Sequence, residues 1–193
     1  MTQTKPGFSL IELLVVVAII GVLAAVGIVG YQQYITNTRS DVARTNAESI
    51  ARWLGSTAIA RAGGITVDPT QCRQTSSSDN LSDCFSVVAD ASGPFEKFEN
   101  PFNQASGAVL VLIDTNTTAF VDDTTACPTT GKAYRNGSDT ADISSLAKAQ
   151  GATYLKLLSD ATGGDLSITS NRIQIGYCSK DSKIDVVTNE LTF

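Results

Sequence analysis

The sequence predicts an α+β protein in which one long N-terminal helix packs on a C-terminal antiparallel β-sheet head. Three observations carry that prediction. A dense apolar run fills residues 13 to 29, and a helical pattern of apolar positions continues beyond it as far as residue 62. After Gly63 and Gly64 the pattern changes to turns and short runs rich in β-branched residues. Helix first and strands afterwards is the order of an α+β domain, since alternating elements would be expected of a parallel sheet.

The apolar run decides the first part. Residues 1 to 7 are short and polar, with Lys5 their only charge, and from Leu13 to Val29 nothing is charged. With Phe8 to Ile11 added, the stretch is long enough to cross a bilayer. Lys5 on its N-terminal flank favours that end remaining in the cytoplasm, so the rest of the chain is expected beyond the inner membrane. A secretory signal peptide cut near Ala24 and Ala25, or an uncut anchor, accounts for the apolar run equally well. Neither accounts for Glu12. An unpaired carboxylate in an apolar segment costs several kcal/mol, so Glu12 is a candidate functional residue unless it snorkels to the interface.

The helix is expected to run from about Leu10 to Ala62, about 80 Å at the standard rise. Its later apolar positions are Tyr31, Tyr34, Ile35, Val42, Ala47, Ile50, Leu54 and Ala58, with Arg39, Asp41, Arg44, Glu48 and Arg52 between them. No proline interrupts it before Pro69. In the remainder, residues 108 to 113 predict a buried strand, with a return over Thr117 to Val121. A short helix is expected within Asp142 to Ser159, using Leu146, Ala149, Leu155 and Leu158. Strands are expected over Arg172 to Cys178 and Ile184 to Phe193.

Composition narrows the chemistry. Histidine is absent, which removes the commonest general base and metal ligand. Ser and Thr are plentiful, but no base is at hand to activate them, so no catalytic residue and no cofactor are expected. The formal net charge of −5 gives no support to nucleic-acid binding, although a local basic patch would be compatible with it. Asp122, Asp123, Asp139 and Asp142 fit no calcium-loop spacing, so no metal site is expected. Asn116 and Asn136 stand in glycosylation sequons, a pattern frequent by chance in so polar a chain. Cys72, Cys84, Cys127 and Cys178 lack the spacing of a zinc knuckle. Behind a membrane-targeting segment they read as two disulfides. Of three connectivities, Cys72–Cys84 with Cys127–Cys178 is preferred, the first closing a short polar loop and the second tying a mid-domain loop to a late strand. Free buried thiols are the alternative.

The stretch Lys5-Pro6-Gly7-Phe8-Ser9-Leu10-Ile11-Glu12 resembles the class III signal of type IV prepilins: a basic leader, Gly, Phe, a correctly spaced Glu and an apolar run. The resemblance covers about the first third of the chain. It implies cleavage by prepilin peptidase between Gly7 and Phe8, N-methylation of Phe8, and retention of the apolar segment. It also implies that Glu12 neutralises the amine of a neighbouring subunit during assembly. Family members often carry Pro where this chain has Val29, so local melting of the helix would fall to Gly21, Gly27 and Gly30. The implied organisation is a leader at 1–7, a helix at 8–62 whose 8–30 half serves membrane and assembly, and an extracytoplasmic head at 63–193 with the pilin fold. The implied partners are further copies in a helical homopolymer, the peptidase, the inner-membrane pilus assembly machinery and, before assembly, the membrane itself. Such a filament serves adhesion, twitching motility, surface attachment or DNA uptake at the cell surface. The same leader also fits a pseudopilin of a type II secretion system, and a membrane-anchored binding domain that never polymerises is the reading from a different class.

Overall fold

A computed structural model describes residues 7–67, 93–95, 97–104, 109–112, 124–128, 132–135, 138–140, 149–158 and 172–192. The chain divides into two compact units, 1–38 and 39–193. Helix α1 spans Leu10–Ala62, 53 residues. It is followed by β1 (Val109–Leu112), β2 (Lys132–Arg135), β3 (Ser138–Thr140), β4 (Thr153–Leu158), β5 (Arg172–Cys178) and β6 (Ile184–Thr192). The long helix, β5 and the last strand lie where the sequence places them.

Both ends of α1 have local causes. At its C-terminus, Gly64 adopts φ 71°, a conformation that costs glycine no Cβ clash. There the Ile65 N–H donates to the Ala60 carbonyl and the Gly64 N–H to that of Arg61, each at 2.9 Å. This 6→1, 5→2 pair is a Schellman cap, and it satisfies two carbonyls the helix would leave open.

In the second unit, α1 buries Ala43, Ala47, Ile50, Ala51, Leu54 and Thr57. These recur at three- and four-residue intervals, one face of a helix. That stripe is not the one the sequence suggests in its early part. Tyr34 is 66% exposed and Val42 43% exposed, while the neighbouring Ala43 is fully buried. Ala43 and Ala47 pack against Tyr177 of β5, with the half-buried Val187 of β6 beside them. A Cβ on Gly55 would meet Leu191 at 3.5 Å, an ordinary van der Waals contact.

The sheet runs β3-β2-β1-β4-β5-β6. β4, β5 and β6 form an antiparallel meander, with Leu155 opposite Ile175 and Tyr177 opposite Asp185. β1 pairs antiparallel with β2 and parallel with β4, Val109 beside Thr153. Along β5, Ile173, Ile175 and Tyr177 join the helix-side clusters, with Ile50, Leu54, Val109 and Leu155 at their centre. Trp53 packs edge-on against Phe95, ring centroids 5.8 Å apart. Burial pushes the Tyr177 phenol well above its usual range, and a hydrogen bond with Asp185 adds to that. β6 is an edge, and its register with β5 shifts twice, between Ile173 and Ile175 and between Ile175 and Gly176. Bulges of this kind protect an edge from pairing with another chain.

The opposite cluster holds Cys127, Ala149, Ala152, Tyr154, Cys178 and Ile184. Cys127 and Cys178 are joined by a disulfide, with Cα atoms 5.7 Å apart. Backbone bonds converge around it: Cys127 N–H to the Ser182 carbonyl, Ile184 N–H to that of Thr125, and Gly151 N–H to that of Cys178, each at 2.9 Å. The Gln150 amide donates to Lys180 O and Ser182 Oγ at 3.0 Å, tying in the turn before β6. Cys72, Cys84, the strand expected over Thr117 to Val121, and the sequons at Asn116 and Asn136 lie outside the described residues.

Of the helix expected within Asp142 to Ser159, residues 142 to 148 lie outside the described residues, Ala149 is helical, and the part from Gly151 onwards is corrected. Leu155 and Leu158 belong to strand β4. Gly151 takes φ 77° just ahead of it, which ends any helix there. Residues 151 to 156 are all buried, so β4 shows no polar–apolar alternation, and the three-residue spacing of its leucines imitates a helix.

Gly151→Ala is expected to destabilise the second unit by more than about 1 kcal/mol, because the φ is left-handed and a Cβ would lie 2.5 Å from Asn100 Oδ1. Leu54→Ala, at a fully buried position, should cost about 2–5 kcal/mol. Urea titration of each variant against the parent chain measures both. Opening the Cys127–Cys178 bridge, whose partners are 51 residues apart, should cost about 2–4 kcal/mol. Amide exchange should then rise at 149–152 and 178–184 while Ile50 and Leu54 stay protected. A uniform rise would show that the bridge supports the whole unit.

Candidate functional site

The residues singled out by the sequence fall together at the start of α1. Gly7, Phe8 and Ser9 are outside the helix, and all three are exposed. Nothing lies within 4 Å of the place a Gly7 Cβ would occupy. Phe8 is 87% exposed. The peptide bond between Gly7 and Phe8 is therefore accessible and not tied up in helical hydrogen bonding.

Glu12 sits in the first turn of α1. Its Oε2 accepts a hydrogen bond of 2.9 Å from the backbone N–H of Ser9, and the Ser9 carbonyl accepts the Leu13 N–H at 3.3 Å. Ser9 is thus the N-cap and Glu12 the third helical residue, reaching back as the carboxylate half of a capping box. A carboxylate at this position also meets the positive end of the helix dipole. Among the described residues Glu12 forms no ion pair; the pairs of Glu48 with Arg44 and Arg52 lie far along the helix. The sequence reading passed over this capping role, although Ser9-x-x-Glu12 before an apolar run is the signal for it.

From Leu10 to Val29 every large apolar side chain of α1 is about half exposed or more. The helix is long and apolar enough to cross a membrane. The first unit thus presents an uncovered apolar surface with one carboxylate at its head. The cysteine pair Cys127–Cys178 is remote from these groups in the chain and belongs to the second unit. Among the described residues no cluster of His, Cys, Asp or Glu is placed to hold a metal ion.

Comparison with known proteins bears on the same stretch. Residues 4–28 match the family model of the prokaryotic N-terminal methylation motif. The N-terminal stretch of this chain is similar to those of type IV fimbrial and pilin proteins. Over 49 residues it is 53% identical to the type IV major fimbrial protein FimA of Dichelobacter nodosus, which is 25% of this chain and 30% of that protein. It is 44% identical over 57 residues to the type IV major alpha-pilin of Moraxella bovis, 30% of this chain and 33% of that one. Over 39 residues it is 46% identical to the fimbrial protein EcpC of Eikenella corrodens, 20% and 26% of the two chains. The matches therefore span about a third or less of these pilins' lengths. No solved structure matches the chain.

Glutamine can still accept the Ser9 N–H, whereas alanine cannot. In micelles, Glu12→Gln should keep the Ser9 amide protected from exchange, and Glu12→Ala should expose it, at a cost of about 1 kcal/mol to the first turn. Equal protection in both variants would show that the cap is not what holds this end of the helix.

Proposed function

We propose that this chain is a structural subunit of a type IV pilus, matured by cleavage between Gly7 and Phe8 and by N-methylation of Phe8. The observation that carries the reading is the N-terminal methylation motif at residues 4–28 on a helix whose apolar surface is uncovered. Such a surface is held in a bilayer before assembly and packed against the helices of further copies afterwards. The relatives named above are fimbrial and pilin proteins, which supports self-association into a filament at the cell surface and a structural role over an enzymatic one.

Glu12 and Phe8 take complementary parts in this scheme. Cleavage creates a cationic amine on Phe8, and Glu12 supplies the single carboxylate of the apolar segment. Buried among helices, neither charge is tolerated alone, and together they compensate. An incoming amine would compete with the Ser9 N–H for the Glu12 carboxylate, and because it is charged it makes the stronger hydrogen bond. Prepilin peptidase and the inner-membrane assembly machinery are the partners this scheme requires.

Intact-mass measurement and electron microscopy of sheared surface material test the proposal. The expected subunit begins at N-methylated Phe8 and is found in filaments. Replacing Gly7 with a bulky residue should leave full-length precursor in the membrane and no filaments. Normal filaments from that variant, or a native subunit starting beyond Ala25, would overturn the assignment.

A further inference from the structure

The uncharged part of α1 is longer than its apolar part. No charged side chain occurs from Leu13 to Thr38, a run of about 39 Å at the helical rise. The hydrocarbon core of a bilayer, about 30 Å thick, needs about 20 residues; with the Glu12 carboxylate held at its cytoplasmic boundary, the core carries the helix from Leu13 to about Gln32. About six residues, roughly 9 Å of helix, remain before Arg39, enough to cross one headgroup layer of about 5–7 Å.

Those residues suit that depth. Gln33 Nε2 donates to Asn37 Oδ1 at 3.1 Å. The hydroxyls of Thr36 and Thr38 donate to the carbonyls of Gln32 and Tyr34 at 2.9 Å. Polar groups bonded within the helix lower the cost of leaving bulk water. Tyr31 and Tyr34, each 66% exposed, stand one turn apart on one face. Tyrosine is enriched at membrane interfaces because its ring is apolar and its hydroxyl wet. Arg39 is exposed and is the first cation after the run, where an anionic lipid phosphate would lie.

We propose that Tyr31 to Arg39 forms an interfacial collar that fixes the depth of the unassembled subunit in the bilayer. Its tyrosine rings lie at the acyl–headgroup boundary of the leaflet facing the head, and Arg39 lies against lipid phosphate. The collar rests on the membrane-bound precursor proposed above, and the first unit ends within it, at Thr38.

Depth-resolved quenching tests it. In the full chain, Trp53→Phe removes the single native tryptophan, and reporters are introduced one at a time as Leu23→Trp, Tyr31→Trp and Tyr34→Trp. Each is reconstituted at low protein density in phosphatidylcholine–phosphatidylglycerol vesicles carrying bromine either near the glycerol or near the acyl terminus. The Leu23 reporter should be quenched mainly by deep bromine. The Tyr31 and Tyr34 reporters should be quenched about twofold or more by shallow over deep bromine, as expected of aromatic belts. Deep quenching of the Leu23 reporter, with the two tyrosine-site reporters reached only by aqueous acrylamide, would overturn the collar and leave the membrane reading intact. A Leu23 reporter that no bromine reaches would overturn both.

Discussion

An apolar helix that cannot stay in water governs this protein. Burying one of its large aliphatic side chains is worth about 1.5–3 kcal/mol, so the stretch from Leu10 to Val29 carries a driving force on the order of tens of kcal/mol. Among the described residues that surface is left exposed, and the second unit builds its own core from other residues. The first unit must find lipid or other helices. A lipid tail is as apolar as leucine, so passage from one to the other gains little from the hydrophobic effect. In the proposed assembly, direction in that exchange has to come from something besides hydrophobicity, and Glu12, the one charged group from Phe8 to Val29, is the group proposed to provide it.

The geometry at Glu12 explains how such a group is tolerated beforehand. Its hydrogen bond from the Ser9 N–H compensates the carboxylate locally, and among the described residues no cation pairs with it. The same bond fixes where the helix begins and so keeps Gly7 and Phe8 outside it. One interaction thus links the start of the helix, the accessibility of the peptide bond before it, and the position of the charge.

The second unit solves a separate problem. It packs small residues of α1 against the sheet and locks its far end with the Cys127–Cys178 disulfide, around which the turns at 149–152 and 179–183 are gathered. Its exposed edge β6 is interrupted by two register shifts. In the proposed filament, a second unit that adds no strand pairing of its own is an advantage, because pairing along an edge would compete with ordered helix packing.

The long helix was legible in the sequence because its pattern is local: apolar spacing, absence of proline and a pair of terminal glycines suffice to mark Leu10–Ala62. The motif that contains Gly7, Phe8 and Glu12 was legible for the same reason, being linear. Strands β5 and β6 alternate or end on turns, and they too could be read. The tertiary structure decided the rest. Strand β4 was misread because burial on both faces erases alternation, and β1 lies parallel to β4 because sheet order depends on crossover connections that leave no periodic trace. The exchange of Val42 for Ala43 on the buried face has a similar origin: which face of the helix meets the sheet is set by both partners together, and a single segment of sequence describes only one of them.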